Sequence, residues 1–560
     1  MRHLTLAAVT LSALAVLLLV QCKNANSGET QPQVRPPAVA GAFYPADPKE
    51  LARMVDDFLA KATPPPLTDV VALVAPHAGY IYSGQVAAYS HALLKGRKVE
   101  RVVVIAPSHY EAFGFSSVYN GAAYSTPLGQ VPVDRAFAAK LAKASPLIKL
   151  SGLGHTPAPD KPEHALEDQL PFLQRVLGQF QLVPIVMGDQ SYEHCRALGV
   201  ALARLIQGTN TLIVVSSDLS HYHPYDEAVK IDHKTLKAIE EWDYLSMSRN
   251  FEQRIWEACG GGPIVAAMIA SERLGASQAK VLRYANSGDT AGDKSRVVGY
   301  GAVAFVKNPA RGGADEAPFS LTQREKDDLL QIARKSVESA VRDRKQFEAS
   351  PGESEALARE RGAFVTLKEH GQLRGCIGYI APVKPLYVTV RDVAAFAALK
   401  DTRFQPVGAR ELAGLEYEIS VLSPLRRVLD VNEIQVGRHG LVIKKGGYEG
   451  LLLPQVATEE KWDRLTFLAQ TCNKAGLPET AWRDADTDIF RFTALVFGER
   501  KISRRFIPDD PLRILTAWPP PPAPGSPSPP AGCFEEAEYR NQVDAEQQGG
   551  EAGARQVEGV

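Results

Sequence analysis

The sequence predicts an α/β fold: a first domain built on a mostly parallel sheet with helices on both faces, followed by a smaller α+β domain. Three observations predict it. Apolar runs of strand length alternate with helical patterns from residue 69 to 306, the signature of parallel strands joined by crossover helices. A second region, 318–513, mixes helices with hairpin signals. Between them, Asn308-Pro309-Ala310-Arg311-Gly312-Gly313-Ala314-Asp315 has the small, polar, turn-forming composition of a domain boundary.

The chain has 560 residues, enough for two or three domains. Hydrophobic residues make up 45% and charged residues 23%, as in globular proteins. A formal net charge of −1 gives no bulk field to attract nucleic acid or acidic lipid, so no nucleic-acid partner is expected. Cys22, Cys195, Cys259, Cys376, Cys472 and Cys533 are scattered and form no CxxC pair. That argues against a disulfide framework and a zinc ribbon.

Residues 1–22 read as a signal or lipoprotein segment. Arg2 supplies a positive start, and Leu4 to Val20 is mostly apolar but shorter than a membrane span. Leu19-Val20-Gln21-Cys22 resembles a lipoprotein cleavage box with Cys22 as the acylated residue, although Gln21 stands where that pattern wants a small residue. An uncleaved anchor is the alternative. Residues 23–35 are polar and proline-bearing, a tether. The expectation is an exported protein on the periplasmic side or cell surface, touching the membrane through its N-terminus only.

The first domain is expected over 36–308. A helix carries Leu51, Met54, Val55 and Phe58 on one face. Strands are expected at 69–75, 101–106, 181–187, 211–216 and 296–306, and helices at 83–95, 133–143, 193–207 and 227–240. After a linker at 309–317, Thr322 and Glu325 form a capping box for a helix bearing Leu329, Leu330, Ile332, Val337 and Val341. Phe364 to Leu367 and Leu373 to Ile380 are strands joined at His370-Gly371, and Gly446-Gly447 marks a second hairpin. Helices at 384–399 and 459–475 and strands at 416–422 and 489–497 complete the domain. Residues 514–560, rich in Pro, Ser, Gly, Glu and Gln, are expected to be disordered.

The residues that could do chemistry gather at strand ends. Val70-Val71-Ala72-Leu73-Val74 runs into Ala75-Pro76-His77-Ala78-Gly79-Tyr80, and strand 101–106 ends in Ala106-Pro107-Ser108-His109. Strand 211–216 ends in Ser217-Asp218-Leu219-Ser220-His221. Parallel strands bring such ends to one rim, where open α/β sheets bind ligands. A histidine that only hydrogen-bonds its loop is the plainer reading of each. Cys259 precedes Gly260-Gly261-Gly262-Pro263 and an apolar helix, so it sits near a helix start, where the dipole favours a metal-ligating thiolate. A small buried thiol is the alternative. In Glu163-His164-Ala165-Leu166-Glu167, His164 and Glu167 would share a helical face and offer a carboxylate behind a ligand, a substrate contact or a helix cap. In the second domain, Arg374 and Cys376 lie two apart on a strand, so they share a face, and with Arg403 and His439 they make a candidate polar site. A tightly packed hairpin with a buried cysteine is the alternative.

On these stretches, with Gly41-Ala42-Phe43-Tyr44-Pro45, the first domain resembles the Memo family, itself similar to the LigB-type extradiol dioxygenases. That resemblance implies metal ligation by His77 and His109, with Cys259 where the dioxygenases have glutamate. It implies His221 as catalytic acid/base, with Asp218 as its neighbour. Two imidazoles and a thiolate suit Cu(I), zinc or iron, and iron or copper is preferred over zinc. The cysteine sets ring cleavage in question, because a thiolate beside activated oxygen is oxidisable. Leu373-Arg374-Gly375-Cys376-Ile377-Gly378, Asp401-Thr402-Arg403-Phe404 and Gly437-Arg438-His439-Gly440-Leu441 resemble the AMMECR-one family. The two families occur together in the AmmeMemoRadiSam system, which implies a radical-SAM partner, at odds with the export signal. The expected function is a non-haem metal enzyme of oxidoreductase type. A non-catalytic metal-handling or redox protein, and a module recognising a peptide or small-molecule ligand, are the alternatives.

Overall fold

The computed structural model describes residues 33–307 and 319–499, apart from positions 156, 158, 159, 161 and 381. The signal or lipoprotein segment with Cys22, the tether up to residue 32, the linker 309–317 and everything from 500 on, Cys533 included, lie outside the described residues. The chain divides into two compact units, one of residues up to 240 with 256–308, the other of 241–255 with 309 onward.

The first unit is organised on strands β1 (Val34–Arg35), β2 (Val70–Ala75), β3 (Arg101–Pro107), β4 (Ser116–Val118), β5 (Ala123–Thr126), β6 (Gly129–Pro132), β7 (Ile148–Leu150), β8 (Gln181–Met187), β9 (Thr211–Ser216), β10 (His221–His223), β11 (Gln278–Asn286) and β12 (Val297–Val306). Its main sheet runs β10-β12-β2-β9-β3-β8-β4-β7, with β11 also on β12. The four central strands β2, β9, β3 and β8 are parallel. Val102 to Ala106 is wholly buried, as an unbroken apolar run must be when both faces of a strand are covered. The parallel arrangement stops at the flanks: β12 joins β2, and β4 joins β8, antiparallel. Strands β4 to β7 are only three or four residues long, too short for a period to be read, and β11 carries a register shift between Val281 and Arg283. The helix Pro48–Lys61 starts where expected. Asp47 accepts the N–H groups of Lys49 and Glu50, and Leu51, Val55 and Leu59 are buried, each contributing about 1.5–3 kcal/mol. Val34 and Arg35, read as the end of a tether, instead form β1, parallel to β5 in a small separate sheet.

The second unit has β13 (Ala363–Glu369), β14 (Gln372–Tyr379), β15 (Leu415–Leu422), β16 (Arg426–Arg427), β17 (His439–Lys445), β18 (Tyr448–Leu452) and β19 (Asp488–Gly498). They form an antiparallel sheet, β14-β13-β15-β19-β17-β18, with β16 on β19. Both hairpin signals form. His370 and Gly371 take φ of 51° and 79° between β13 and β14, the positive pair that a two-residue turn needs. The Thr322–Glu325 capping box opens the helix Gln323–Glu338, which packs into the core with the helix Leu386–Leu399.

Candidate metal centre

Strands β2, β9 and β3 lie side by side and parallel, so their carboxyl ends share one rim. His77 follows β2, His109 follows β3, and Asp218 and His221 follow β9. The loops are tied to one another by backbone donors. The N–H of His77 donates to Asp218 Oδ1 (2.8 Å), and the N–H of Asp218 donates to Cys259 Sγ (3.2 Å).

A ring nitrogen from each of His77 and His109 and the Cys259 sulfur all lie within 4.8 Å of one another. His77 Nε2 is 3.2 Å from Cys259 Sγ. His164 completes the wall, its ring stacked 5.0 Å from that of His109 and 5.6 Å edge-on from that of His77. His77 is buried, whereas His109 opens to solvent.

Behind each imidazole stands a different partner. Glu163 accepts from the His109 N–H through Oε2 (2.6 Å) and faces His109 Nδ1 through Oε1 (3.1 Å). His77 Nδ1 meets Ser216 Oγ at 2.9 Å. Two glycines seat the cysteine. A Cβ on Gly260 would stand 2.5 Å from the Ser216 carbonyl, and one on Gly262 would stand 2.6 Å from Gln190 Cβ. The Gln190 amide bridges the turn, donating to the Cys259 carbonyl (3.0 Å) and accepting from the Gly262 N–H (2.7 Å).

Burial drives the His77 imidazole well below its ordinary pKa, and the neighbouring histidines add repulsion. Burial acts the same way on His109, but hydrogen bonds with Cys259 and Glu163 outweigh it and push this imidazole up to about 10. Burial pushes the Cys259 thiol up, despite the hydrogen bond from His109. The thiolate expected from the helix start is therefore not favoured by the protein alone. Cys259 precedes the N-cap Gly260 of the helix Gly261–Arg273, and desolvation exceeds what that dipole supplies. The lasting counter-charge to His109 is the Glu163 carboxylate. Burial opposes its ionisation, but the bonds from His109 hold it below the ordinary range.

Residues 35–304 match the family described as Memo-like protein, and 330–497 the family described as AMMECR1. A MEMO1 family protein of Sulfolobus acidocaldarius is 38% identical over 288 residues, covering 49% of this chain and 99% of that protein. The chain belongs to the MEMO1 family. Another MEMO1 family protein, from Methanopyrus kandleri, is 37% identical over 284 residues, covering 48% of this chain and 98% of that protein. In this chain the MEMO1 unit is fused to an AMMECR1 domain. Among solved structures, an uncharacterized protein of Pyrococcus horikoshii is 39% identical, covers 32% of this chain and 94% of that one, and has a TM-score of 0.32.

Several expectations for the MEMO1 unit need correction. His164 and Glu167 share no helical face. The segment is a turn, with a single 3-10 turn at Glu167–Gln169 before the helix Leu170–Leu177, and the Glu163 side chain accepts the N–H groups of His164 (3.0 Å) and Ala165 (3.2 Å) at its start. His164 faces His77 and His109, while Glu167 points away into a buried ion pair with Arg35 (2.5 Å). The carboxylate behind a ligand is Glu163. Asp218 binds the His77 backbone (2.8 Å), and His221 Nδ1 binds the Leu219 carbonyl at 2.9 Å. Tyr80, which ends the His77 motif, is buried with its hydroxyl on the Asp168 carbonyl, whereas Tyr82, Tyr110 and Tyr222 are exposed. Glu163, Ser216, Gln169 and Gln190 were not singled out by sequence, although Glu163 and Ser216 sit inside the motifs that were.

In the AMMECR1 domain the four expected residues do not make one site. Arg374 turns to Glu411 (2.7 Å) rather than to the cysteine. The cation at Cys376 is Arg403, which donates to the Cys376 carbonyl (3.3 Å) and pairs with Asp401 (2.6 Å), while Asp401 accepts the Cys376 N–H (2.8 Å). The Asp401–Arg403 pair thus occupies hydrogen-bonding groups on the free edge of β14, as edge strands require. Burial raises the Cys376 thiol pKa even so. His439 begins β17, where its ring nitrogens meet the Gln435 N–H (3.1 Å) and Arg491 (3.4 Å). Gly375 allows close approach, and what approaches is the Ala397 carbonyl of the helix Leu386–Leu399.

Proposed function

We propose that the MEMO1 unit is a mononuclear metal enzyme of oxidoreductase type, its ion held by His77, His109 and Cys259. The convergence of these three donors within 4.8 Å supports it. Two tetrahedral ligands, one nitrogen and one sulfur, sit about 3.6 Å apart, so the 3.2 Å between His77 Nε2 and Cys259 Sγ needs little adjustment. The mixed imidazole–thiolate set suits iron or copper over a hard cation, and such an ion would supply a redox centre with open positions. Binding would take the proton from the Cys259 thiol and from His109, so affinity rises with pH.

The remaining roles fall to this chain's own groups. His221 Nδ1 faces a carbonyl, which can only accept, so it carries the ring proton and leaves Nε2 free as a general base. Asp218 holds the His77 loop and orients rather than reacts. His109 is the solvent-exposed member of the three, and Tyr110 beside it and Tyr222 beside His221 are exposed aromatic side chains able to contact a small molecule or a peptide side chain. The test is anaerobic loading with ferrous iron, then oxygen uptake with catechol-type substrates in wild type and His221→Ala. Turnover that falls at least 100-fold in His221→Ala is expected. Metal bound with no turnover on any substrate would instead favour metal handling without catalysis.

A further inference from the structure

We propose that Ser216, held by Gln169, is a positioning residue that sets the tautomer of His77 and so leaves its Nε2 lone pair for the ion. Its use rests on the metal reading above, but the tautomer itself does not depend on a metal.

Ser216 ends β9 and is fully buried. Its Oγ has three partners: the Ala165 carbonyl at 2.5 Å, Gln169 Nε2 at 2.8 Å and His77 Nδ1 at 2.9 Å. A hydroxyl has one proton to give and two lone pairs to receive. The Ala165 carbonyl can only accept, so the hydroxyl proton goes there. The Gln169 nitrogen also lies 3.0 Å from the Pro76 carbonyl, which fixes it as the amide NH2, a donor only. It fills one lone pair of Ser216. The other must receive a proton from His77, so His77 carries its hydrogen on Nδ1. In that tautomer the Nε2 lone pair faces the Cys259 sulfur, 3.2 Å away.

The device has a second consequence. Gln169 spans the Pro76 carbonyl and the end of β9, so one buried amide fixes both the His77 loop and the hydroxyl that orients its ring. His109 is oriented differently, by the Glu163 carboxylate. One ligand is thus backed by a neutral hydroxyl and the other by a charge. Partners of this kind govern ligand orientation and basicity in metal sites.

The experiment uses the full chain with ¹⁵N-labelled histidine and no added metal, read by long-range ¹H–¹⁵N correlation. The His77 ring is identified by its loss in His77→Gln. The expected spectrum has the His77 proton on Nδ1 in wild type. Ser216→Ala should mix the tautomers and weaken ferrous iron binding, measured by chelator competition, by about 10–100-fold, and Ser216→Thr should restore both. A wild-type His77 protonated on Nε2 overturns the proposal, and so does Ser216→Ala with unchanged tautomer and affinity. Should Ser216→Ala not fold, the wild-type spectrum alone decides. If wild type shows the Nδ1 tautomer yet binds no metal, the metal reading fails and the role of Ser216 stands.

Discussion

Replacing Glu167 with glutamine probes how the segment at Arg35 to Tyr44 is fastened to the first unit. Glu167 is fully buried. Its two oxygens accept from Arg35 Nη1 (2.5 Å), the N–H groups of Ala38 (2.7 Å) and Val39 (3.1 Å), and the Tyr44 hydroxyl. Arg35 is only 2% exposed and spends its other donors on the carbonyls of His155, Pro36 and Glu163. Glutamine keeps the shape but removes the single formal counter-charge bonded to that guanidinium, and turns one acceptor oxygen into a donor. Breaking a buried pair from one side costs about 3–5 kcal/mol. In a unit of this size each kcal/mol moves Tm by roughly 2–4 °C, so a fall on the order of 10 °C is expected by calorimetry of the full chain at pH 7. Arg35→Met combined with Glu167→Gln should cost less than the sum of the two single replacements, because removing both charges strands neither. The reasoning is refuted if Glu167→Gln stays within about 1 kcal/mol of wild type, or if the double replacement costs the sum of the two single ones. Metal content per folded molecule should not change, since Glu167 faces away from the ligands.

Other outcomes follow from the same contacts. Glu163→Gln leaves His109 without its carboxylate and should weaken metal binding about 10–100-fold in chelator competition. Asp168 is buried with both carboxyl oxygens unpartnered, and burial holds its pKa well above 3.8. The folded state keeps a proton that the unfolded chain releases, so this stability is present at acid pH and lost as pH rises past the unfolded value. Asp168→Asn should therefore gain on wild type in Tm between pH 4 and pH 8. A constant Tm difference across that range would contradict it. Gly260→Ala would drive a methyl against the Ser216 carbonyl and Ser217 Cβ, moving Cys259. It should lower metal affinity at least as much as Glu163→Gln, and equal affinity would show the turn can give.

The outline of the site was legible because it is local. An apolar run, a proline and a histidine announce a strand end, and two such runs at 70–77 and 101–109 with a third ending at Asp218 place their residues on one rim once the strands are parallel. Cys259 was legible from the glycines and proline after it. What could not be read is the layer behind. Ser216 meets His77 across 139 positions and Glu163 meets His109 across 54, and no period or motif encodes which polar neighbour a fold delivers. Protonation was misread for the same reason. The dipole at a helix start is visible in sequence, whereas the burial that outweighs it at Cys259 is a property of packing. In the AMMECR1 domain the two-residue spacing of Arg374 and Cys376 was a sound strand argument, but Glu411 and Asp401, both remote, decide which arginine serves which partner.

The central claim is that His77, His109 and Cys259 hold one ion, and metal analysis tests it most directly. The full chain, purified without tags or chelators and reconstituted anaerobically with ferrous iron or Cu(I), is compared with His77→Ala, His109→Ala and Cys259→Ser. About one equivalent of tightly held metal in wild type, lost in each of the three variants, is the predicted result. Wild type that holds no metal, or variants that keep it at wild-type affinity, would contradict the account.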